Sequence, residues 1–70
     1  MEIRYTLHAG EQIKERKILK VWVEETIKSP NKTEKENKKY YVIKKLNGKT
    51  LEVIYVKESY IKVITAFFLT

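Results

Sequence analysis

Residues 39–68 read KYYVIKKLNGKTLEVIYVKESYIKVITAFF. Three runs rich in β-branched and aromatic residues, 39–46, 50–57 and 60–68, follow one another with little between them. Asn47-Gly48 separates the first two. A type I′ turn needs positive φ at both central residues, and Asn-Gly meets that need with little strain. Glu58-Ser59 closes a second hairpin between Lys57 and Tyr60. A two-residue turn at Asn47-Gly48 sets Leu46 opposite Lys49, Val42 opposite Val53 and Tyr40 opposite Tyr55. The second turn is then expected to set Ile54 opposite Val63 and Val53 opposite Ile64.

This register collects Tyr40, Val42, Lys44, Leu51, Val53, Tyr55, Lys62, Ile64 and Phe68 on one sheet face. The other face collects Tyr41, Ile43, Lys45, Glu52, Ile54, Val56, Ile61, Val63, Thr65 and Phe67. Both are too apolar to be simply solvated. Helices can cover only one, so a homodimer or a complex with another protein is expected on the remaining face.

Upstream, residues 2–7 alternate, with Ile3, Tyr5 and Leu7 on one side, as a half-buried strand does. Residues 9–17 are helix formers. A second helix is expected over 19–28, with Leu19, Val23 and Ile27 on its buried face and Trp22 beside them. Ser29-Pro30-Asn31 stops it, because the residue before proline is disfavoured in the helical region. Residues 31–38 contain no apolar side chain, so 29–38 reads as a solvated, lysine-rich loop. The expected order is β-α-α-β-β-β, an α+β fold in a single domain spanning 1–70, with two N-terminal helices on an antiparallel sheet.

The chain has 70 residues, no cysteine and no aspartate. Disulfides and thiolate metal sites are excluded, and a reducing, cytoplasmic setting is expected. No apolar run approaches the roughly 20 residues of a membrane span. Nine acidic residues, all glutamate, are scattered along the chain, which disfavours a two-metal nuclease. Gly10 and Gly48 are the only glycines, so no glycine-rich phosphate loop exists. No cofactor or metal is expected.

The formal net charge is +6, and residues 29–49 hold seven lysines against two glutamates. Lys38, Lys39, Lys44, Lys45 and Lys49 are candidate nucleic-acid contacts, since such a stripe suits a phosphate backbone. A lysine-rich loop also keeps a small domain soluble. His8 is the single histidine, and histidine is the side chain that handles protons near neutral pH.

Tyr5-Thr6-x-His8-Ala9, Glu15-Arg16-x-Ile18, Trp22-Val23-Glu24-Glu25, Pro30, Tyr40-Tyr41 and Val63-Ile64-Thr65-Ala66 follow in that order. Together they resemble a family of small prokaryotic domains of unknown function that is grouped by fold with the RelE/ParE toxins. The resemblance spans nearly the whole chain. It implies a RelE-like architecture and a toxin–antitoxin setting, with metal-independent endoribonuclease activity and an antitoxin partner. Metal-free RNA cleavage needs a base, a cation and an acid, which histidine, arginine, lysine and tyrosine can supply. By position, the resemblance assigns candidate catalytic roles to His8, Arg16 and Tyr41, with Lys45 on the same strand. This sequence departs from the family pattern at Gln12, where members often have arginine. It departs again at Phe67, Phe68, Leu69 and Thr70, where members commonly carry tyrosine, aspartate and arginine.

Structural roles are also open to these residues. His8 can cap or orient the first helix, and Arg16 can pair with Glu24 or Glu25. The tyrosines can pack across strands before they stack on bases. The rival to a ribonuclease is therefore a non-catalytic module that binds protein or nucleic acid.

Overall fold

A computed structural model describes residues 1–69, so Thr70 lies outside the described residues. The elements are β1 (Ile3–Tyr5), α1 (Leu7–Glu15), α2 (Lys20–Lys28), β2 (Lys32–Glu36), β3 (Lys39–Leu46), β4 (Lys49–Lys57) and β5 (Ile61–Phe68). They form one five-stranded sheet of order β1-β5-β4-β3-β2, with α1 against β5 and α2 against β4 and β3. The α+β class is as expected. The sheet, however, is mixed, because β1 pairs parallel to β5. A strand that returns to its sheet only after two helices and three hairpin strands is free to take that direction.

Each helix is bounded by local chemistry. Thr6 caps α1, its Oγ1 accepting the Ala9 N–H at 3.0 Å. At the other end the Lys17 N–H donates to the Lys14 carbonyl and the Ile18 N–H to the Ile13 carbonyl. This is a Schellman closure with Lys17 in the left-handed region at φ 56°, a position glycine usually fills. Ile18 and Ile13, which meet across the closure, are both buried. In α2 the fully buried Thr26 donates its hydroxyl to the Trp22 carbonyl at 2.8 Å, so its polar group is satisfied inside the core.

The first hairpin follows the expected register, Leu46 opposite Lys49, Val42 opposite Val53 and Tyr40 opposite Tyr55. Asn47 and Gly48 both take positive φ. Tyr40 and Tyr55 stack with ring centroids 4.9 Å apart. The second hairpin departs from expectation. Tyr55 faces Val63 and Ile54 faces Thr65, which leaves Ile64 as an extra residue in β5. The bulge changes the face on which β5 alternates. Ile61 and Val63 before it, and Ala66 after it, all point into the core with Leu51, Val53, Val42, Val23, Ala9 and Ile13.

Residues 32–36 correct a second expectation. They form an edge strand paired with β3, not a loop, although all five remain exposed. Asn37 in the left-handed region at φ 58° turns the chain between Glu36 and Lys39. The unpaired edge of β3 then recruits a polar segment whose own composition carries no strand signal.

The Tyr5 hydroxyl is buried with no hydrogen-bond partner among the described residues. Burial pushes its ionisation up to about 12, helped by the Glu24 carboxylate. Below pH 10 both folded and unfolded chains keep this proton. Between about 10 and 12 the unfolded chain loses it while the folded chain retains it, so stability falls as pH rises. Tyr5→Phe should therefore stabilise the domain by about 1 kcal/mol at neutral pH. Its advantage should widen between pH 10 and 12, measured by urea unfolding at each pH; an advantage that shrinks there would contradict the assignment.

Candidate functional site

The N-cap at Thr6 sets the start of α1, and the helical period then places His8, Gln12 and Arg16 on one line. β1 pairs with β5 only at Ile61, Lys62 and Val63, so among the described residues no strand covers that edge of β5 beyond Val63. The line of α1 residues faces this uncovered stretch. The Arg16 guanidinium donates to the Ala66 carbonyl at 2.8 Å. The Thr65 hydroxyl donates to Gln12 Oε1. Gln12 Nε2 lies 2.8 Å from His8 Nε2.

Residues fifty or more positions apart thus meet on one ledge. His8 is exposed and borders a shallow depression shared with Glu11, Gln12, Lys14 and Glu15. His8 and Arg16 stand eight residues apart, about 12 Å along the helix axis. They sit at opposite ends of the ledge, and Arg16 pairs with a β5 carbonyl rather than with Glu24 or Glu25.

Tyr41 lies on the helix-free face of the sheet. The ladder sets it opposite Ile54, and Ile54 opposite Thr65. Two strand spacings, about 10 Å, separate Tyr41 from the residue that anchors Gln12. A single row therefore runs Tyr41, Ile54, Thr65, and continues through Gln12 to His8. Around it Ile43, Val56, Ile64 and Phe67 are half-buried, so this face carries exposed apolar surface.

The five candidate lysines do not form one patch. Lys39 and Lys45 belong to the helix-free face, with the Lys39 ammonium 5.7 Å from the Tyr41 ring centroid. Lys38 sits exposed in the β2–β3 turn. Lys44 donates to the Ser29 carbonyl at 2.7 Å, and the Lys49 ammonium lies 4.9 Å from the Phe68 ring centroid. Those two serve the helix side, where Phe68 also meets Trp22 edge-on. Two cations that the charge count overlooked join the helix-free face instead. Lys39 and Lys62 both pair with Val56, and Lys62 pairs in turn with Arg4. Only the strand register brings them together. Arg4 is shared with the Glu2 carboxylate at 3.0 Å, which holds that carboxyl below its usual range through hydrogen bonding and charge. Among the described residues no group of three or more histidines or carboxylates could hold a metal ion.

The fold and ledge define a small two-layer α+β domain with one exposed histidine tethered to a sheet edge. The chain belongs to the family described as Domain of unknown function (DUF4258), which it matches over residues 5–68. No curated protein and no solved structure matches it.

The two ends of the ledge should differ in their weight on stability. Arg16→Ala removes a charged hydrogen bond to a half-buried carbonyl and should cost about 1 kcal/mol. His8→Ala removes an exposed ring and should change stability by less than about 0.5 kcal/mol. Urea denaturation distinguishes these, and equal costs would mean that Arg16 does not tie α1 to β5.

Proposed function

We propose that this protein acts on RNA as a RelE-like, metal-independent endoribonuclease of toxin type, with His8 as the proton-handling group. The observation that carries the reading is the ledge. The only histidine is exposed, held at one ring nitrogen, and placed at the end of a row that carries Tyr41. Single-stranded RNA is recognised by stacking on aromatic rings and by cations along its backbone. Tyr41 and Phe67 offer the rings; Lys39, Lys45, Lys62 and Arg4 offer the charge. Arg16, about 12 Å from His8 along the helix, would meet a neighbouring phosphate with the donors it does not use on Ala66.

Cleavage would proceed by transfer of the ribose 2′-hydroxyl proton to the His8 imidazole, attack of the 2′-oxygen on the adjacent phosphorus, and departure of the 5′-oxygen, which takes up a proton from water. That leaves a cyclic phosphate on one fragment and a hydroxyl on the other. General acid–base help of this kind is worth about 10²- to 10⁴-fold.

A second reading rests on the same face. Tyr41, Ile43, Ile54, Val56, Ile64 and Phe67 form a half-buried apolar surface that no helix covers, which suits a protein-binding module, an antitoxin partner or a homodimer. Incubation of the purified protein with single-stranded RNA in EDTA, and with ribosome-bound mRNA in magnesium buffer, separates the readings. The ribonuclease reading expects fragments ending in cyclic phosphate and a loss of at least about 100-fold in His8→Ala. It also expects growth arrest on induction of the wild type alone. No cleavage of either RNA and no arrest would overturn it in favour of the binding module.

A further inference from the structure

β2 ends the sheet, and its outer edge is open among the described residues. Backbone N–H and C=O groups alternate in direction along a strand. On β3 the even-numbered residues turn theirs toward β4. The Lys38 carbonyl accepts the Lys57 N–H, and Leu46 and Lys49 flank a two-residue turn. The odd-numbered ones therefore face β2, where Lys39, Tyr41 and Ile43 stand opposite Glu36, Glu34 and Lys32. That leaves the backbone groups of Thr33 and Lys35 pointing outward. All five residues of β2 are exposed, and none has an ion-pair partner among the described residues.

Charged side chains ordinarily keep open edges apart. The order Lys32-Thr33-Glu34-Lys35-Glu36 does the opposite for one partner, an antiparallel second copy of itself. A two-fold axis normal to the sheet keeps every side chain on its own face, so it sets one residue opposite its own copy. Every residue of the strand except Thr33 is charged and would meet a like charge there. With the axis at Thr33, Lys32 falls opposite Glu34 of the second copy, and Glu34 opposite its Lys32. The outward N–H and C=O of Thr33 then meet those of its copy as a hydrogen-bonded pair.

We propose that β2 is a homodimer edge, pairing antiparallel with β2 of a second copy about Thr33. The two ion pairs lie on the helix-free face, which Lys32 and Glu34 share with Ile43 and Tyr41. The two sheets become one, with both helix-free faces turned the same way. The ladder is short, because the Asn31 N–H is already given to the Ile43 carbonyl, so assembly depends on concentration. The contact uses neither His8 nor the apolar surface around Ile54, and so stands apart from either functional reading.

Sedimentation equilibrium of the full chain at low salt tests the register through charge. The wild type should self-associate. Lys32→Glu and Glu34→Lys should each weaken this at least about tenfold, because two pairs turn from attraction to repulsion. The double variant Lys32→Glu with Glu34→Lys should recover the dimer, since it exchanges the charges and leaves the net charge unchanged. The chain has no cysteine, so Thr33→Cys should give a disulfide-linked dimer on mild oxidation, whereas Lys35→Cys should not. The substituted residues are all exposed, so the fold tolerates these changes. A wild type that is monomeric at about 1 mM would overturn the proposal. So would a double variant no better than the singles, or equal cross-linking at both positions.

Discussion

The structure depends on a short parallel contact. β1 is only three residues long, and it pairs with β5 at Ile61, Lys62 and Val63 and no further. Thr6 then leaves the sheet, its N–H donating to the Val63 carbonyl, and its side chain caps α1. The helix has no choice but to run along the remaining edge of β5. Ala9 and Ile13 press into the core, and the next face of the helix meets Thr65 and Ala66. A longer β1 would have covered that edge and kept His8 and Arg16 away from it.

The bulge at Ile64 is the second constraint, and it acts where β1 ends. It lets β5 send Ile61 and Val63 inward against the short pairing and then Ala66 inward beneath α1. It also leaves Ile64 and Phe67 half-exposed near the helix-free face. One added residue thus reconciles a continuous apolar run with a sheet covered on one side only. The core that results is built from small and medium side chains, Leu51, Val53, Val42, Val63 and Val23 being fully buried.

Much of this was legible in the residues. Asn47-Gly48 gave the first hairpin to the residue, because its turn geometry is local. The two helices were legible from their period and from Pro30, but Leu7, expected on the first strand, opens α1 instead, and Leu19, expected on a buried face, is the N-cap of α2; both are exposed. The bulge was not, since nothing in Val63-Ile64-Thr65 distinguishes an extra residue from a regular one. Two apolar faces therefore seemed more alike than they are. β2 was hidden for a different reason: Lys-Thr-Glu-Lys-Glu becomes a strand only because β3 offers an edge, although Asn37 marks its turn. His8 stood out by residue type and Arg16 by the family resemblance, which also marked Gln12 as a departure, whereas Thr65 is an ordinary residue until the fold joins it to Gln12. Arg4 and Lys62 were missed because the charge count favoured one segment and the register favoured a row across strands.

The proposed ribonuclease reading needs RNA to lie along one continuous row, from Tyr41 across the sheet to His8. Its most direct test is an NMR titration of the full chain with a short single-stranded RNA at low and high salt. The account predicts that backbone and side-chain signals of Tyr41, Ile54, Thr65, Gln12 and His8 move together at low salt. It also predicts that the response weakens steeply as salt rises. Signals that stay still, or that move only around Trp22, Lys44 and Lys49 on the helix side, would contradict it.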